Sequence, residues 1–321
     1  MIQRIYGRSG IEKRHTVVEN LKDTVDGTPA STRVRNDAYV THAKLLFPEV
    51  ARRVFAGVHG IDASQVTHVI TVSCTGFFAP GPDYVVVRAL NLPASTQRFH
   101  LGFMGCYAAF PALKMAQAFC LADPQSVVLV VCLELCSLHL QRSDTPDALT
   151  AASLFADGAA AALVSAKPPK NLSQAMKMGA MTTTLTPSGE SDMAWTIGDT
   201  GFDMILSSYV PSIIETHILE ALQPMLNHSN LTPGDIRHWA IHPGGRSILD
   251  KLQSGLSLSD HQMNYSRNVL RDFGNMSSAT VLFVLKQILE STSPGENENV
   301  CAMAFGPGLT IETGMFVKNA C

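Results

Sequence analysis

The stretch Gly102-Phe-Met-Gly-Cys106-Tyr-Ala-Ala109 joins two sequence patterns of different period. Before it, the run His68-Val-Ile-Thr-Val-Ser-Cys74 is rich in β-branched residues and predicts a short strand. After it, the apolar residues between Leu113 and Phe119 follow the spacing of a helix, and the run from Val127 to Cys132 predicts a second buried strand. The stretch therefore forms the loop of a strand–loop–helix–strand unit.

A second unit of this kind lies in the other half of the chain. His238-Trp-Ala-Ile-His242 predicts its first strand, Gly274-Asn275-Met-Ser-Ser-Ala279 its loop, Val281 to Ile288 its helix and Val300 to Phe305 its last strand. The landmark pairs 74 and 242, 106 and 275, and 132 and 301 are separated by 168, 169 and 169 residues. A nearly constant offset indicates an internal duplication, although all strand–loop–helix units share some likeness.

The two units predict an α/β fold made of two duplicated halves. Strands that alternate with helices at this spacing favour layered sheets with mostly parallel strands. Two such halves packed helix to helix give a five-layer αβαβα sandwich. The turn Lys167-Pro-Pro-Lys-Asn171 is the best boundary, and it divides the chain into residues 1–168 and 169–321.

The composition argues against several classes of protein. A chain of 321 residues, 46% of them hydrophobic, can bury a large core. Its net charge of -3 comes without a basic run, which argues against a nucleic-acid partner. The apolar runs are too short for a membrane span, and the first ten residues lack the apolar core of a signal peptide, so we expect a cytoplasmic protein. Seven cysteines without a CxxC pair give no sign of a metal site.

Cys106 is a candidate nucleophile because it precedes a predicted helix. The positive end of the helix dipole and the free N–H groups there favour a thiolate, which is the form that attacks a thioester. Gly105 lets the backbone turn sharply and leaves the sulfur accessible. A Gly-Cys pair before a helix is a weak signal by itself, since six other cysteines are present.

His242 and Asn275 are the other two catalytic candidates. His242 ends a predicted strand and precedes Pro243-Gly-Gly245, a stiff and sterically open loop that can present an imidazole to a ligand. Asn275 lies in the predicted loop of the second unit. The more common interpretations are a hydrogen-bonded histidine at a strand end and an asparagine that caps a helix.

The duplication brings these three candidates together. It places Cys106 and Asn275 at equivalent positions, with His242 at the equivalent of Cys74, so their loops converge at the carboxyl ends of the strands. A Cys, His and Asn set indicates acyl transfer, in which amide and imidazole N–H groups stabilise an oxyanion or enolate. A papain-like protease also uses these residues, but the sequence context of its nucleophile is absent here.

Several longer segments carry a more specific signal. They resemble, in order and over nearly the whole chain, signature segments of type III polyketide synthases of the chalcone-synthase kind. The segments are Gly105-Cys106, Leu154-Phe-Ala-Asp-Gly-Ala-Ala160, Ile241-His-Pro-Gly-Gly-Arg-Ser-Ile-Leu-Asp250, Gly274-Asn-Met-Ser-Ser-Ala279 and Phe305-Gly-Pro-Gly-Leu-Thr-Ile-Glu312.

The resemblance implies a thiolase-like fold and a defined reaction. Cys106 takes a starter acyl group from acyl-CoA, while His242 and Asn275 hold malonyl-CoA during decarboxylation and stabilise the enolate that attacks the acyl group. No metal or redox cofactor is implied, and the CoA thioesters are substrates. The resemblance also implies a homodimer, with the Cys74-Thr-Gly-Phe-Phe-Ala-Pro-Gly81 loop as the expected contact, since two adjacent exposed aromatics are unfavourable.

The resemblance further assigns residues around the substrate. Phe155 and Phe202 match the gatekeepers between the CoA tunnel and the cavity. Gly308 matches a loop that lines the cavity, and Arg4 and Arg8 match residues that contact CoA phosphates, although solvated surface arginines are the alternative. Positions that shape the cavity are matched by Cys74, His139, Met193 and Ser277.

Two segments, Glu134–Gln141 and Trp195–Phe202, are more similar to bacterial alkylpyrone and alkylresorcinol synthases than to plant enzymes, which favours a fatty acyl starter. Family members usually begin several dozen residues earlier, so the resemblance predicts an uncovered edge or apolar face in the first sheet. A single-step ketoacyl synthase III and a catalytically silent partner subunit are the alternatives. The Phe305–Thr310 segment and the paired phenylalanines favour the polyketide synthase.

Overall fold

Two four-stranded sheets organise the part of the chain that the computed structural model describes, residues 2–21, 29–57, 60–142, 145–168, 175–291 and 297–318. The helices in those ranges are α1 (Ile2–Arg8), α2 (Thr32–Gly57), α3 (Pro82–Ala89), α4 (Ala109–Ala122), α5 (Pro146–Leu154), α6 (Val210–Ser229), α7 (Arg246–Gly255), α8 (Asp260–Phe273) and α9 (Thr280–Glu290). The strands are β1 (His68–Ser73), β2 (Gln97–Gly102), β3 (Val127–Leu135), β4 (Asp157–Ser165), β5 (Met176–Leu185), β6 (Met193–Gly198), β7 (Gly201–Leu206), β8 (His238–Ile241), β9 (Glu298–Gly306) and β10 (Thr310–Lys318).

The first sheet has the strand order β2-β1-β3-β4. Strand β1 runs parallel to β2 and β3, and β4 runs antiparallel to β3. All nine residues of β3 are buried. This burial explains the nearly unbroken apolar sequence of β3, because side chains on both faces of a strand are buried when helices cover both faces of its sheet.

The second sheet has the strand order β5-β10-β9-β8. Strand β8 runs parallel to β9, and β10 runs antiparallel to both β9 and β5. Strands β6 and β7 form a separate antiparallel hairpin whose turn contacts the start of α2, where the backbone N–H of Thr32 donates to the carbonyl of Asp199 at 2.8 Å.

The helices and sheets form five layers, which confirms the predicted αβαβα sandwich. Helices α4 and α9 lie between the sheets and share one apolar core with both. Helices α2 and α3 cover the outer face of the first sheet, and α6 and α7 cover that of the second. The central position of α4 explains why most of its residues are apolar, since a helix of the middle layer packs against both sheets. Pro111 falls in its first turn, where proline is tolerated.

The duplication predicted from the offsets is visible in the strand arrangement. In each half a first strand pairs in parallel with a second, and the second pairs antiparallel with a third: β1, β3 and β4 in one half, β8, β9 and β10 in the other. The halves differ at the edge. Strand β5 covers the outer edge of β10, whereas β4 is the last strand of the first sheet among the described residues.

The boundary predicted at residues 168 and 169 adjoins a segment, 169–174, that lies outside the described residues. None of the described helices is both long and apolar enough to cross a membrane.

Candidate active site

A cavity of about 270 Å³ lies at the carboxyl ends of strands from both sheets. Cys74 follows β1, His242 follows β8 and Pro307 follows β9, and each lines this cavity. Cys106 and Asn275 line it as well. The structure therefore brings the three predicted catalytic side chains to one space between the two halves.

Cys106 sits in a tight turn that only glycine permits at its preceding position. Gly105 has a φ of 87°, and a Cβ there would lie 2.4 Å from Cδ of Pro307 in the other half. The backbone N–H of Gly105 donates to Sγ of Cys74 at 3.0 Å. Helix α4 starts three residues after Cys106, so the thiol precedes the helix as expected.

The protonation of Cys106 and His242 differs from the sequence-based expectation. Burial raises the pKa of the Cys106 thiol to about 11, and its hydrogen bonds with Ser277 and Asn275 offset only part of this effect. Burial also lowers the pKa of His242 to about 3. These pKa shifts do not agree with the thiolate expected at the helix terminus, because removal from water outweighs the effect of that terminus. The resting pair is a thiol and a neutral imidazole.

Neither ring nitrogen of His242 has a hydrogen-bond partner among the described residues, although the side chain is buried. Its backbone is fixed, since its N–H donates to the carbonyl of Met303 at 2.8 Å. Buried polar groups without partners are rare and ask for an explanation. A neutral imidazole offers one donor and one acceptor, and both are free for a ligand in the cavity.

Asn275 is held by its neighbours in one orientation. Its Oδ1 accepts from the backbone N–H of Ser277 at 2.9 Å, and its Nδ2 donates to the carbonyl of Gly244 at 3.2 Å. Sγ of Cys106 lies 4.0 Å from that Oδ1. One hydrogen of Nδ2 is used by Gly244, so the second can serve a substrate oxygen. The helix N-cap interpretation does not apply, because α9 begins five residues later, at Thr280.

The two predicted gatekeepers come from different elements of the fold. Phe155 follows α5, and its loop pairs with the loop of Asn275, where the N–H of Asn275 donates to Leu154 at 2.9 Å. Phe202 lies in β7 and stacks on His139, with 3.9 Å between ring centroids. Both phenylalanines line the cavity.

His139 supports Phe202 through its backbone as well as its ring. The N–H of Phe202 donates to Nδ1 of His139 at 3.1 Å, so Nε2 carries the proton and donates to the carbonyl of Thr75 at 2.8 Å. Burial lowers the pKa of His139 to about 4, which keeps it neutral. Cavity-lining positions are also taken by Cys74, Met193 and Ser277, as predicted from the resemblance.

Gly308 and Arg8 are not among the described residues that line the cavity. Gly308 lies one residue beyond Pro307, and its φ of 125° serves the turn between β9 and β10. Arg8 is exposed at the end of α1, a helix that packs on α5 and so stands near one wall of the cavity. Arg4 belongs to the same helix, but its side chain lies outside the described part.

Several cavity residues were missed by the sequence analysis. Cys136 lines the cavity, as does Trp195, whose Nε1 donates to the carbonyl of Cys74 at 2.8 Å. Trp195 and Met204 share a face of the hairpin with the predicted Met193 and Phe202, so a period of two would have found them. No comparable signal marks the small residues of α5 that line the cavity, Ala148, Ala151 and Ala152.

The described residues contain no group of three or more His, Cys, Asp or Glu side chains placed to hold a metal ion. The site is therefore built from a thiol, an imidazole and an amide, with apolar side chains around them.

Comparison with known families decides the class of this site. The model of the chalcone and stilbene synthase N-terminal domain matches residues 1–168, and that of the C-terminal domain matches residues 177–320. The chain belongs to the chalcone and stilbene synthase family. It is a type III polyketide synthase by this membership, and its fold is the thiolase-like fold of that family.

Relatives with known names extend the comparison. The alpha-pyrone synthesis polyketide synthase-like Pks18 of Mycobacterium tuberculosis is 32% identical over 321 residues, which cover 98% of this chain and 81% of the relative. PKS-I from the brown alga Ectocarpus siliculosus has a crystal structure that matches with a TM-score of 0.90 and 30% identity, over 99% of this chain and 88% of that one. Tetrahydroxynaphthalene synthase from Streptomyces coelicolor matches with a TM-score of 0.90 and 28% identity, over 100% and 90% of the two chains.

Proposed function

We propose that the chain condenses malonyl-CoA with a Cys106-bound acyl group by decarboxylative Claisen chemistry. The observation that carries the proposal is the meeting of Cys106, His242 and Asn275 in one buried cavity. In this proposal residues 1–168 form the half that supplies the nucleophile, and residues 169–321 form the half that supplies the imidazole and the amide.

The first step loads the starter. The neutral imidazole of His242 accepts the Cys106 proton while Sγ attacks the thioester carbonyl of acyl-CoA. The C–S bond to CoA breaks, and the proton passes from the imidazole to the departing CoA thiolate. The step leaves an acyl-enzyme and restores a neutral His242, so the site is ready for the extender.

The second step makes the carbon nucleophile. The thioester oxygen of malonyl-CoA accepts from the N–H of His242 and from the free Nδ2 hydrogen of Asn275. The bond between the carboxylate and the methylene carbon breaks, carbon dioxide leaves, and the electron pair forms an enolate that the two donors stabilise. The enolate carbon attacks the acyl carbon on Cys106, and the sulfur leaves as a thiolate that takes up a proton.

The remaining predicted residues have supporting roles in this proposal. Phe155 and Phe202 form the gate between the CoA side and the cavity, while the side chains of Cys74, His139, Met193 and Ser277 set its shape. Arg4 and Arg8 contact the phosphates of CoA, and Gly308 supports the Pro307 wall. CoA thioesters serve as substrates, and no metal or redox group takes part.

We further infer that the starter is a medium or long fatty acyl-CoA and the product an alkylpyrone or alkylresorcinol. Apolar side chains and the small residues of α5 dominate the cavity wall, and the mycobacterial relative is named for alpha-pyrone synthesis. Each buried CH₂ of an alkyl chain contributes about 0.8 kcal/mol. The specificity should therefore rise with chain length until the cavity is full.

The test is kcat/KM over a C6 to C18 acyl-CoA series with malonyl-CoA, beside a coumaroyl-type starter. Product masses identify the rings that form. Met193→Ala enlarges the cavity and should move the optimum to a longer chain, while Leu121→Ala, an exposed position on α4, should not. A flat series with the aromatic starter preferred would overturn the starter assignment but not the condensing chemistry.

We also propose that the chain acts as a cytosolic homodimer. Phe77, in the predicted contact loop, is 40% exposed, which favours a partner surface there. Light scattering at micromolar concentration should give twice the mass of one chain, and a monomer would contradict this part. Cell fractionation with the condensing assay checks the compartment.

A further inference from the structure

Glu134 is a carboxyl group that the proposed chemistry does not use. It lies near the end of β3 with a solvent exposure of 0%. No cationic side chain in the described ranges is paired with it; three hydrogen bonds surround it instead. An ionised carboxyl buried without a cation is costly, so its presence here asks for a compensating role.

The hydrogen bonds of Glu134 come from both halves. The backbone N–H of Cys74 and the hydroxyl of Thr75 donate to its Oε2 at 2.9 and 3.1 Å. The hydroxyl of Ser278 donates to its Oε1. Cys74 and Thr75 follow β1 of the first half, whereas Ser278 belongs to the short turn Ser277–Ala279 before α9 of the second. The carboxyl group therefore ties two loops across the interface of the halves.

One of these loops carries the catalytic candidate Asn275, and the other holds the backbone next to Cys106 in place. Sγ of Cys74 accepts the N–H of Gly105, the residue before Cys106, at 3.0 Å. Ser278 comes three residues after Asn275 on the same loop. Displacing the carboxyl group of Glu134 would therefore shift the Cys106 sulfur through Cys74 and Gly105. It would shift the Asn275 amide through Ser278.

The strand position equivalent to Glu134 in the second half contains a different residue. The offset of 169 residues that relates Cys132 to Cys301 puts Met303 at the equivalent of Glu134. Met303 holds its own loop through the backbone, because its carbonyl accepts the N–H of His242 at 2.8 Å. An apolar side chain is thus compatible with this strand position, and the buried acid has a purpose beyond packing.

We propose that Glu134 is a positioning residue that fixes Cys106 and Asn275 relative to each other across the two halves. The proposal rests on the function proposed above for those two residues. Its charge also acts on the sulfur, because burial raises the pKa of Glu134 to about 7 and its anion adds to the raised pKa of Cys106.

The groups that face Glu134 from the elements packed around it are all acids. Burial is the first cause of a raised pKa in each of them, so Glu134 is the group that titrates near neutral pH. They are Tyr39 of α2, Cys74 after β1, Cys106 before α4, Cys132 of β3 and Cys136 after β3.

The experiment uses two variants with different effects. Glu134→Gln keeps the size and can keep all three hydrogen bonds, since the Ser278 hydroxyl can accept instead of donate, but it removes the charge. Ser278→Ala removes the link to the Asn275 loop and leaves the links to Cys74 and Thr75. Ser126→Ala is the matched control, because Ser126 is also buried and its hydroxyl has no partner among the described residues.

The first readout is iodoacetamide alkylation of Cys106 against pH, which needs no CoA substrate. We expect Glu134→Gln and the parent enzyme to react equally well below pH 7, where Glu134 is protonated. Above pH 7 the variant should react faster, because it lacks the anion that adds to the raised pKa of Cys106. The Ser126→Ala profile should match that of the parent. In Ser278→Ala the effect of the Glu134 charge should begin at higher pH, because the hydrogen bond that this variant loses lowers the pKa of Glu134 in the parent.

The second readout separates the loops. Ser278→Ala should acylate Cys106 at the parent rate but release carbon dioxide from malonyl-CoA about tenfold more slowly, as expected when an oxyanion donor is misplaced but not removed. Parent-like decarboxylation in Ser278→Ala would overturn the positioning role of Glu134, and coincident alkylation profiles for Glu134→Gln and the parent would overturn the effect of its charge on Cys106. If Glu134→Gln does not fold, Ser278→Ala decides alone. Failure of the proposed function would instead show as no carbon dioxide release by the parent.

Discussion

The loop of Cys106 and the loop of Asn275 share a backbone arrangement, but they hold their functional side chains differently. Each has a glycine of positive φ directly before the functional residue, Gly105 at 87° and Gly274 at 72°, and each leads into a helix of the central layer. The amide of Asn275 is fixed by Ser277 and Gly244 on either side. The sulfur of Cys106 is held more weakly, since its contact with Oδ1 of Asn275 is 4.0 Å long.

This difference shows how a duplicated scaffold divides catalytic work. A nucleophile must leave its resting contacts to form a bond, so strong hydrogen bonds to it would slow the reaction. A donor to a developing charge must stay where it is, because its benefit depends on preorganisation. The same backbone can serve both needs, and the neighbouring side chains decide which need is met.

The largest expected effect comes from removing the nucleophile of the first loop. Cys106→Ala should lower product formation by about 10⁴- to 10⁶-fold, as in enzymes that lose a covalent nucleophile. Cys120→Ala, another buried cysteine in the same core, should keep activity. Intact mass after incubation with acyl-CoA should show one acyl group in the parent, and an adduct that persists in Cys106→Ala would refute the assignment.

The second test concerns the fixed donor of the other loop. Asn275→Ala should slow carbon dioxide release from malonyl-CoA by about 10²- to 10³-fold, because one oxyanion donor is lost. Acylation of Cys106 should stay close to the parent rate. Asn227→Ala, at an exposed position on α6, is the control. Condensation by Asn275→Ala at the parent rate would mean that the two loops do not divide the work as described.

A third test addresses the resting state of the pair. With the pKa of Cys106 at about 11 and that of His242 at about 3, the sulfur is a thiol at neutral pH. The alkylation rate of Cys106 should therefore rise about tenfold per pH unit across the alkaline range below its pKa. His242→Ala should leave this slope unchanged. A rate that is already flat at neutral pH would reveal a thiolate–imidazolium pair.

The smallest effect separates two equivalent strands, β4 of the first sheet and β10 of the second. Strand β10 has a neighbour on each side, whereas β4 lies at the edge of the described first sheet. Amide hydrogens of β4 that point outward should exchange at least about tenfold faster than those of β10, since exchange follows local hydrogen bonding. Equal protection in both strands would indicate that the β4 edge is covered in solution.

The sequence predicts the layers well because the spacing of apolar residues and the constant offset between the two halves both follow from which residues are buried. The runs from Val127 to Cys132 and from Val300 to Phe305 are apolar because they are buried. In the structure both are inner strands of their sheets. The offset of 169 residues likewise relates Cys106 to Asn275 without any knowledge of contacts, and the structure brings both to one cavity.

Other features could not be read from the sequence. Whether a helix terminus or burial controls the pKa of Cys106 depends on how much water the fold excludes, and no local pattern encodes that amount. The role of Glu134 depends on Ser278, which is 144 residues away in the chain. Gly308 and Pro307 are adjacent, and only the turn between β9 and β10 decides which of them faces the cavity.

The protonated state of Cys106 has a consequence for the lifetime of the enzyme. Peroxide oxidises thiolates far more readily than thiols, and exposure adds to the damage. Cys106 is neither a thiolate nor well exposed, because its pKa lies near 11 and it is only 9% exposed. The reactive form arises only when a thioester is bound and the imidazole removes the proton. Oxidative loss of the enzyme should therefore increase with the number of catalytic cycles completed and not with the time spent in storage.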